Sequence, residues 1–112
     1  MPYTSNVPEI TVQELKALMD EGETPFLLDV REPHEYDIAN LNGTLIPLQQ
    51  LPQRLDEIDD HRDEQVVVYC RSGARSGQAV QYLQAMGFAQ ATNLKGGVLA
   101  WSKEIDPSMP TY

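Results

Sequence analysis

The run Val66-Val67-Val68-Tyr69 constrains this chain more than any other segment. Three β-branched residues and an aromatic, bounded by charge, favour an extended strand. The strand leads directly into Cys70, a glycine-containing loop and a helical stretch from about Ala74 to Met86. In that stretch Ala79, Val80, Leu83 and Met86 share one face. Gly87 fits the position that ends such a helix. A buried strand that turns at once into a helix is the repeating unit of a parallel sheet.

The rest of the sequence repeats that unit. Thr11 and Glu14 form a capping box ahead of Val12, Leu15, Leu18 and Met19, and Gly22 stops the helix. Phe26 to Val30 reads as a buried strand ending at Asp29-Val30-Arg31, and Pro33 opens a short helix through Tyr36. After the Asn42-Gly43 turn, Leu45 to Leu48 reads as a strand weakened by Pro47. Leu48, Leu51, Leu55 and Ile58 then predict one helix, with Pro52 tolerated in its first turn. Ala91 to Leu94 is a last strand, Gly96-Gly97 a turn, and Val98 to about Glu104 a final helix.

The expected fold is therefore α/β: three layers, with a central, mostly parallel sheet of about five short strands and helices on both faces. Residues 1–8 are expected to form a flexible N-terminal arm, 9–106 the domain and 107–112 a C-terminal tail. Ligands of such sheets bind beyond the carboxyl ends of the strands. Three polar clusters fall there: Asp29 to Arg31, Cys70 to Arg75, and Lys95 to Gly97.

Composition narrows the partners. The chain has 112 residues, one cysteine and a net charge of −9. An acidic surface repels nucleic acid and anionic membranes. One cysteine makes no internal disulfide, and the first residues carry neither a basic region nor an apolar run. A reducing, cytoplasmic setting is the expectation. One cysteine and two separated histidines fall short of a metal site, and no cofactor or metal is expected.

The chemistry is concentrated in Cys70-Arg71-Ser72-Gly73-Ala74-Arg75-Ser76. A loop feeding a helix N-terminus presents free N–H groups and the positive end of the helix dipole. Gly73 lets the loop curl. A thiol at its centre has its thiolate stabilised. Free cysteines are commonly buried and inert, but a plain strand-to-helix turn does not require two arginines and a glycine. Arg71 and Arg75 place two of the eight basic residues within five positions of Cys70.

With Leu28-Asp29-Val30-Arg31-Glu32 and Leu94-Lys95-Gly96-Gly97 followed by Trp101, this loop resembles the rhodanese family of sulfurtransferases, over about Ile10 to Ile105. The segment Ala100 to Pro107 is similar to the rhodanese modules fused to ubiquitin-activating-like enzymes of sulfur-carrier pathways. The resemblance implies a Cys70 nucleophile that takes sulfur from thiosulfate or a persulfide and passes it, as a Cys70 persulfide, to a thiol or cyanide. Residues 71–76 would bind substrate, and a sulfur-relay protein could be the partner. Asp29 and Arg31 would brace the loop.

Other chemistries fit less well. Cysteine phosphatases and arsenate reductases of this loop type carry arginine six positions after the cysteine, where this chain has Ser76. A cysteine protease needs a histidine base; His34 reads as a surface residue and His61 as part of a solvated acidic loop. A C-x-x-C oxidoreductase motif is absent. A rhodanese fold used only for binding or sensing is the non-catalytic alternative. Glu35 reads as a solvated helix residue, Trp101 as core, and Tyr69 as a residue of the sheet whose hydroxyl needs a partner if buried. Donor, acceptor, pathway and oligomeric state are not legible in the residues.

Overall fold

The computed structural model describes residues 7–112. It contains β1 (Glu9–Ile10), α1 (Val12–Asp20), β2 (Phe26–Asp29), α2 (Pro33–Ile38), β3 (Thr44–Leu45) and α3 (Leu51–Arg54). These are followed by β4 (Val66–Tyr69), α4 (Ala74–Ala85), β5 (Ala91–Leu94) and α5 (Gly97–Glu104). The strands form one sheet in the order β1-β5-β4-β2-β3, and every pairing is parallel. The expected three-layer α/β arrangement is observed.

Strand periodicity divides the core. Successive side chains of a strand face opposite sides. Val66, Val68 and Cys70 therefore join Leu28, Val30, Ala79, Val80 and Leu83 on the α3–α4 side. Val67 and Tyr69 join Leu27, Leu15, Val98 and Trp101 on the α1–α5 side. Trp101 is core, as expected. The buried Tyr69 hydroxyl accepts from the Gly43 N–H at 3.2 Å.

The Thr11–Glu14 capping box forms in both directions. The helix expected over Leu48 to Ile58 does not run through. It divides into 3-10 segments, Leu48–Gln50 and Leu55–His61, on either side of α3. Pro52 has no N–H for the Leu48 carbonyl, so an unbroken α-helix cannot cross it. The apolar face survives, with Leu51, Leu55 and Ile58 buried. The strand expected over Leu45 to Leu48 shrinks to Thr44–Leu45, ahead of Pro47.

Glu9–Ile10 is an edge strand that its two residues gave no periodic signal for. Of the expected N-terminal arm, residues 1–6 lie outside the described residues. Val7 is buried in the core, and the Pro8 carbonyl accepts from the Asn93 N–H at 2.8 Å. Among the described residues, no helix is long and apolar enough to cross a membrane.

Candidate active site

Cys70 follows the last residue of β4 and is 1% exposed. Gly73, at φ +107°, turns the chain back so that its N–H donates to Cys70 Sγ at 3.1 Å. The Ser76 N–H reaches the same sulfur at 3.4 Å, and Ser76 Oγ lies 3.3 Å from it. The start of α4 has no side-chain cap. Its free N–H groups face the sulfur instead, which is the arrangement that favours negative charge there. Of the expected loop residues, Gly73 and Ser76 touch Cys70, while Ser72 and Ala74 are exposed at the rim.

A second helix holds the loop from behind. The Val98 and Leu99 N–H groups at the start of α5 donate to the Cys70 and Arg71 carbonyls, both at 3.0 Å. A Cβ on Gly97 would lie 2.4 Å from the Cys70 carbonyl oxygen and 2.6 Å from that of Arg71. The double glycine therefore permits contact between two backbones as well as a turn.

Asn93, in β5, is a site residue that the sequence reading missed. It is 1% exposed. Its Oδ1 accepts from Ser76 Oγ at 2.6 Å, and its Nδ2 donates to the Gly73 carbonyl at 3.1 Å. A single amide within the buried strand Ala91-Thr92-Asn93-Leu94 was the available signal, since buried polar groups require partners.

The arginines are engaged. Arg75 donates to both carboxylate oxygens of Glu35, at 2.7 and 2.8 Å. Glu35 is therefore not a solvated helix residue: it is 6% exposed and turned into the site. The Arg75 guanidinium holds its carboxyl down at about 2, against the opposing effect of burial. Much of the positive charge expected from Arg75 is thus neutralised beside the loop. Arg71 is exposed and donates to the main-chain oxygen of Tyr112, from Nε at 2.6 Å and also from Nη2.

Asp29 and Arg31 form a pair with both side chains fully buried, at 2.8 Å. Arg31 also donates to the Ala39 carbonyl at 2.7 Å and to the Tyr112 hydroxyl at 2.7 Å. That hydroxyl donates to Glu35 at 2.9 Å. A chain of contacts therefore leads from Asp29 through Arg31, Tyr112 and Glu35 to Arg75. Tyr112, in the segment read as a tail, is its central member. A cleft of about 280 Å³ opens beside the loop, lined by Ser72, Gly73, Asn93 and Lys95 among others.

Neither histidine belongs to the site. His34 is exposed. His61 lies among the exposed acidic residues Asp59, Asp60, Asp63 and Glu64, is itself partly buried, and stacks on Phe26 with ring centroids 3.8 Å apart.

Comparison with known proteins agrees with this arrangement. The family model described as a rhodanese-like domain matches residues 11–104. A sulfurtransferase from Allochromatium vinosum is 40% identical, over 87% of this chain and 90% of its own length. Adenylyltransferase and sulfurtransferase MOCS3-1 of Zea mays is 38% identical over 99% of this chain. The chain spans about a quarter of the length of that relative and of several others like it. The crystal structure of a rhodanese-like domain protein from Staphylococcus aureus superposes with a TM-score of 0.78, at 31% identity. That match covers 94% of this chain and 98% of the other. With a family model spanning most of the sequence and a single-domain relative matched over nearly its full length, the chain belongs to the rhodanese-like family of sulfurtransferases.

Proposed function

We propose that this chain transfers sulfane sulfur through a persulfide on Cys70. The observation that carries this reading is the convergence of the Gly73 and Ser76 N–H groups on Cys70 Sγ, in a chain with no second cysteine. The Cys70 thiolate attacks the outer sulfur of thiosulfate. A new S–S bond forms, the S–S bond of thiosulfate breaks, and sulfite leaves with its electron pair. An acceptor thiolate or cyanide then attacks the outer sulfur of the persulfide, and Cys70 departs as the thiolate. No resolving cysteine is available within the chain, so the acceptor comes from outside.

The exposed Arg71 guanidinium, which bonds the Tyr112 main-chain oxygen and lies 5.3 Å from the centroid of that residue's ring, supports an anionic donor. The adenylyltransferase and sulfurtransferase relatives support a sulfur-relay protein as a partner class. The test is thiosulfate:cyanide turnover, followed as thiocyanate, in wild type and Cys70→Ser. Mass spectrometry after thiosulfate alone looks for one added sulfur. Turnover and added mass, both lost in Cys70→Ser, are expected. Absence of both turnover and persulfide with every donor, including a cysteine-desulfurase persulfide, would leave a binding module.

A further inference from the structure

Ser76 Oγ carries one proton and has two neighbours that compete for it. Asn93 Oδ1, at 2.6 Å, can only accept. Its assignment as the oxygen is fixed by the other end of the amide, where Nδ2 donates to the Gly73 carbonyl at 3.1 Å. With its proton on Asn93, Ser76 Oγ turns lone pairs toward Cys70 Sγ at 3.3 Å. That suits a thiol, whose S–H then donates to Oγ. It does not assist a thiolate, which is left with the Gly73 and Ser76 N–H groups and without the hydroxyl proton as a further donor. All three residues are at most 1% exposed, so no bulk water supplies a substitute partner.

We propose that Asn93 is a positioning residue that sets the direction of the Ser76 hydroxyl, and with it whether Cys70 is held as a thiol or assisted as a thiolate. In the resting site the order is Cys70 S–H to Ser76 Oγ, and Ser76 O–H to Asn93 Oδ1. When the S–S bond of a persulfide breaks and its electron pair settles on Cys70 Sγ, the Ser76 O–H rotates from Asn93 to the sulfur. Asn93 Oδ1 is then left without its donor until the thiolate takes up a proton and becomes the thiol again. The amide thus acts as a return spring: it opposes the charged sulfur and restores the neutral one. The functional consequence rests on the persulfide reading, but the hydroxyl competition does not.

The charged and titratable groups around the loop are Arg71 and Arg75, Glu9 on β1, Glu35 on α2, the Asp29–Arg31 pair at the end of β2, Lys95 after β5, and Tyr112. The test leaves all of them in place by exchanging neutral groups only. The pH profile of iodoacetamide alkylation of Cys70 is measured in wild type, Asn93→Leu and Asn93→Leu/Ser76→Ala, with thiolate absorbance as a second readout. Asn93→Leu frees the Ser76 hydroxyl for the thiolate, so the midpoint moves to lower pH by about one unit, the equivalent of one net hydrogen bond. Adding Ser76→Ala removes that gain and moves the midpoint back up.

If Asn93→Leu does not fold, Asn93→Val, a strand-favouring residue, takes its place. A midpoint that stays put or rises in the folded variant overturns the proposal. So does a changed plateau rate with a fixed midpoint, the mark of a loop merely loosened at the Gly73 carbonyl. Alkylation needs no sulfur donor, so failure here and failure of persulfide formation are read separately.

Discussion

Glu35 and Arg75, forty residues apart in the chain, meet in a two-bond ion pair at 2.7 and 2.8 Å beside the Cys70 loop. The pair fastens α2, which follows β2, to the first turn of α4, which follows β4. Its carboxylate accepts from the part-buried Tyr112, which also bonds Arg31 of the buried Asp29–Arg31 pair, so this contact connects the loop to the end of β2.

The Glu35 carboxyl, held at about 2 in the fold against an ordinary value of 4.5, binds its proton less readily folded than unfolded. Its stabilising effect is complete above pH 4.5 and disappears as the pH falls from 4.5 toward 2. Allowing for solvent at the half-exposed Arg75, the effect is about 2–3 kcal/mol. Urea unfolding of wild type and Glu35→Gln across pH 2–7 is expected to give a gap of that size at neutral pH that closes in acid. A gap of constant size at every pH would mean that the carboxylate charge is not what stabilises the contact.

Gly97→Ala is expected to damage both the fold and the loop. Gly97 has φ +60°, and its added Cβ would press on the Cys70 and Arg71 carbonyls at 2.4 and 2.6 Å. Gly22→Ala is the comparison: φ is +74°, but nothing lies within 4 Å of the new carbon. Left-handed strain alone costs about 1–2 kcal/mol, and Gly97→Ala should exceed it by about 2 kcal/mol or more. Thermal unfolding measures the difference, and equal losses at the two glycines would remove the close backbone approach from the account.

Arg31→Met leaves the Asp29 carboxylate buried without its partner. Breaking a buried pair from one side costs about 3–5 kcal/mol, whereas replacing both members is far better tolerated. Arg31→Met should therefore lose several kcal/mol in denaturant unfolding, and Asp29→Leu/Arg31→Met should recover a substantial part. A double variant no more stable than the single one would show that the other Arg31 contacts, to Ala39 and Tyr112, dominate instead.

What the sequence makes legible here is local. The β-branched run of β4, the capping box at Thr11 and the loop after Cys70 are each set by residues within a few positions of one another. The partners of the site are not local: Ser76 finds Asn93 17 residues away, and Tyr112 finds Glu35 77 residues away. Such pairs follow from the strand order, which a single sequence does not print. Glu35 reads as solvated because a short helix shows no face clearly, and β1 and β3 are two residues each, too short for any period. Asp29 and Arg31 stand out at a strand end, but their connection to the loop runs through Tyr112, a residue without a motif.

The atoms that face Cys70 Sγ belong mostly to the main chain, and the carbonyls of Cys70 and Arg71 are fixed by main-chain groups of α5. Ser72 and Ala74 stand exposed at the rim, with side chains that take no part in that clasp. Under the proposed function, reactivity would rest on main-chain groups and recognition on the neighbouring rim side chains. On that reading, substitution at those two sites is expected to change which molecules reach the sulfur while the main-chain clasp around Cys70 stays as it is.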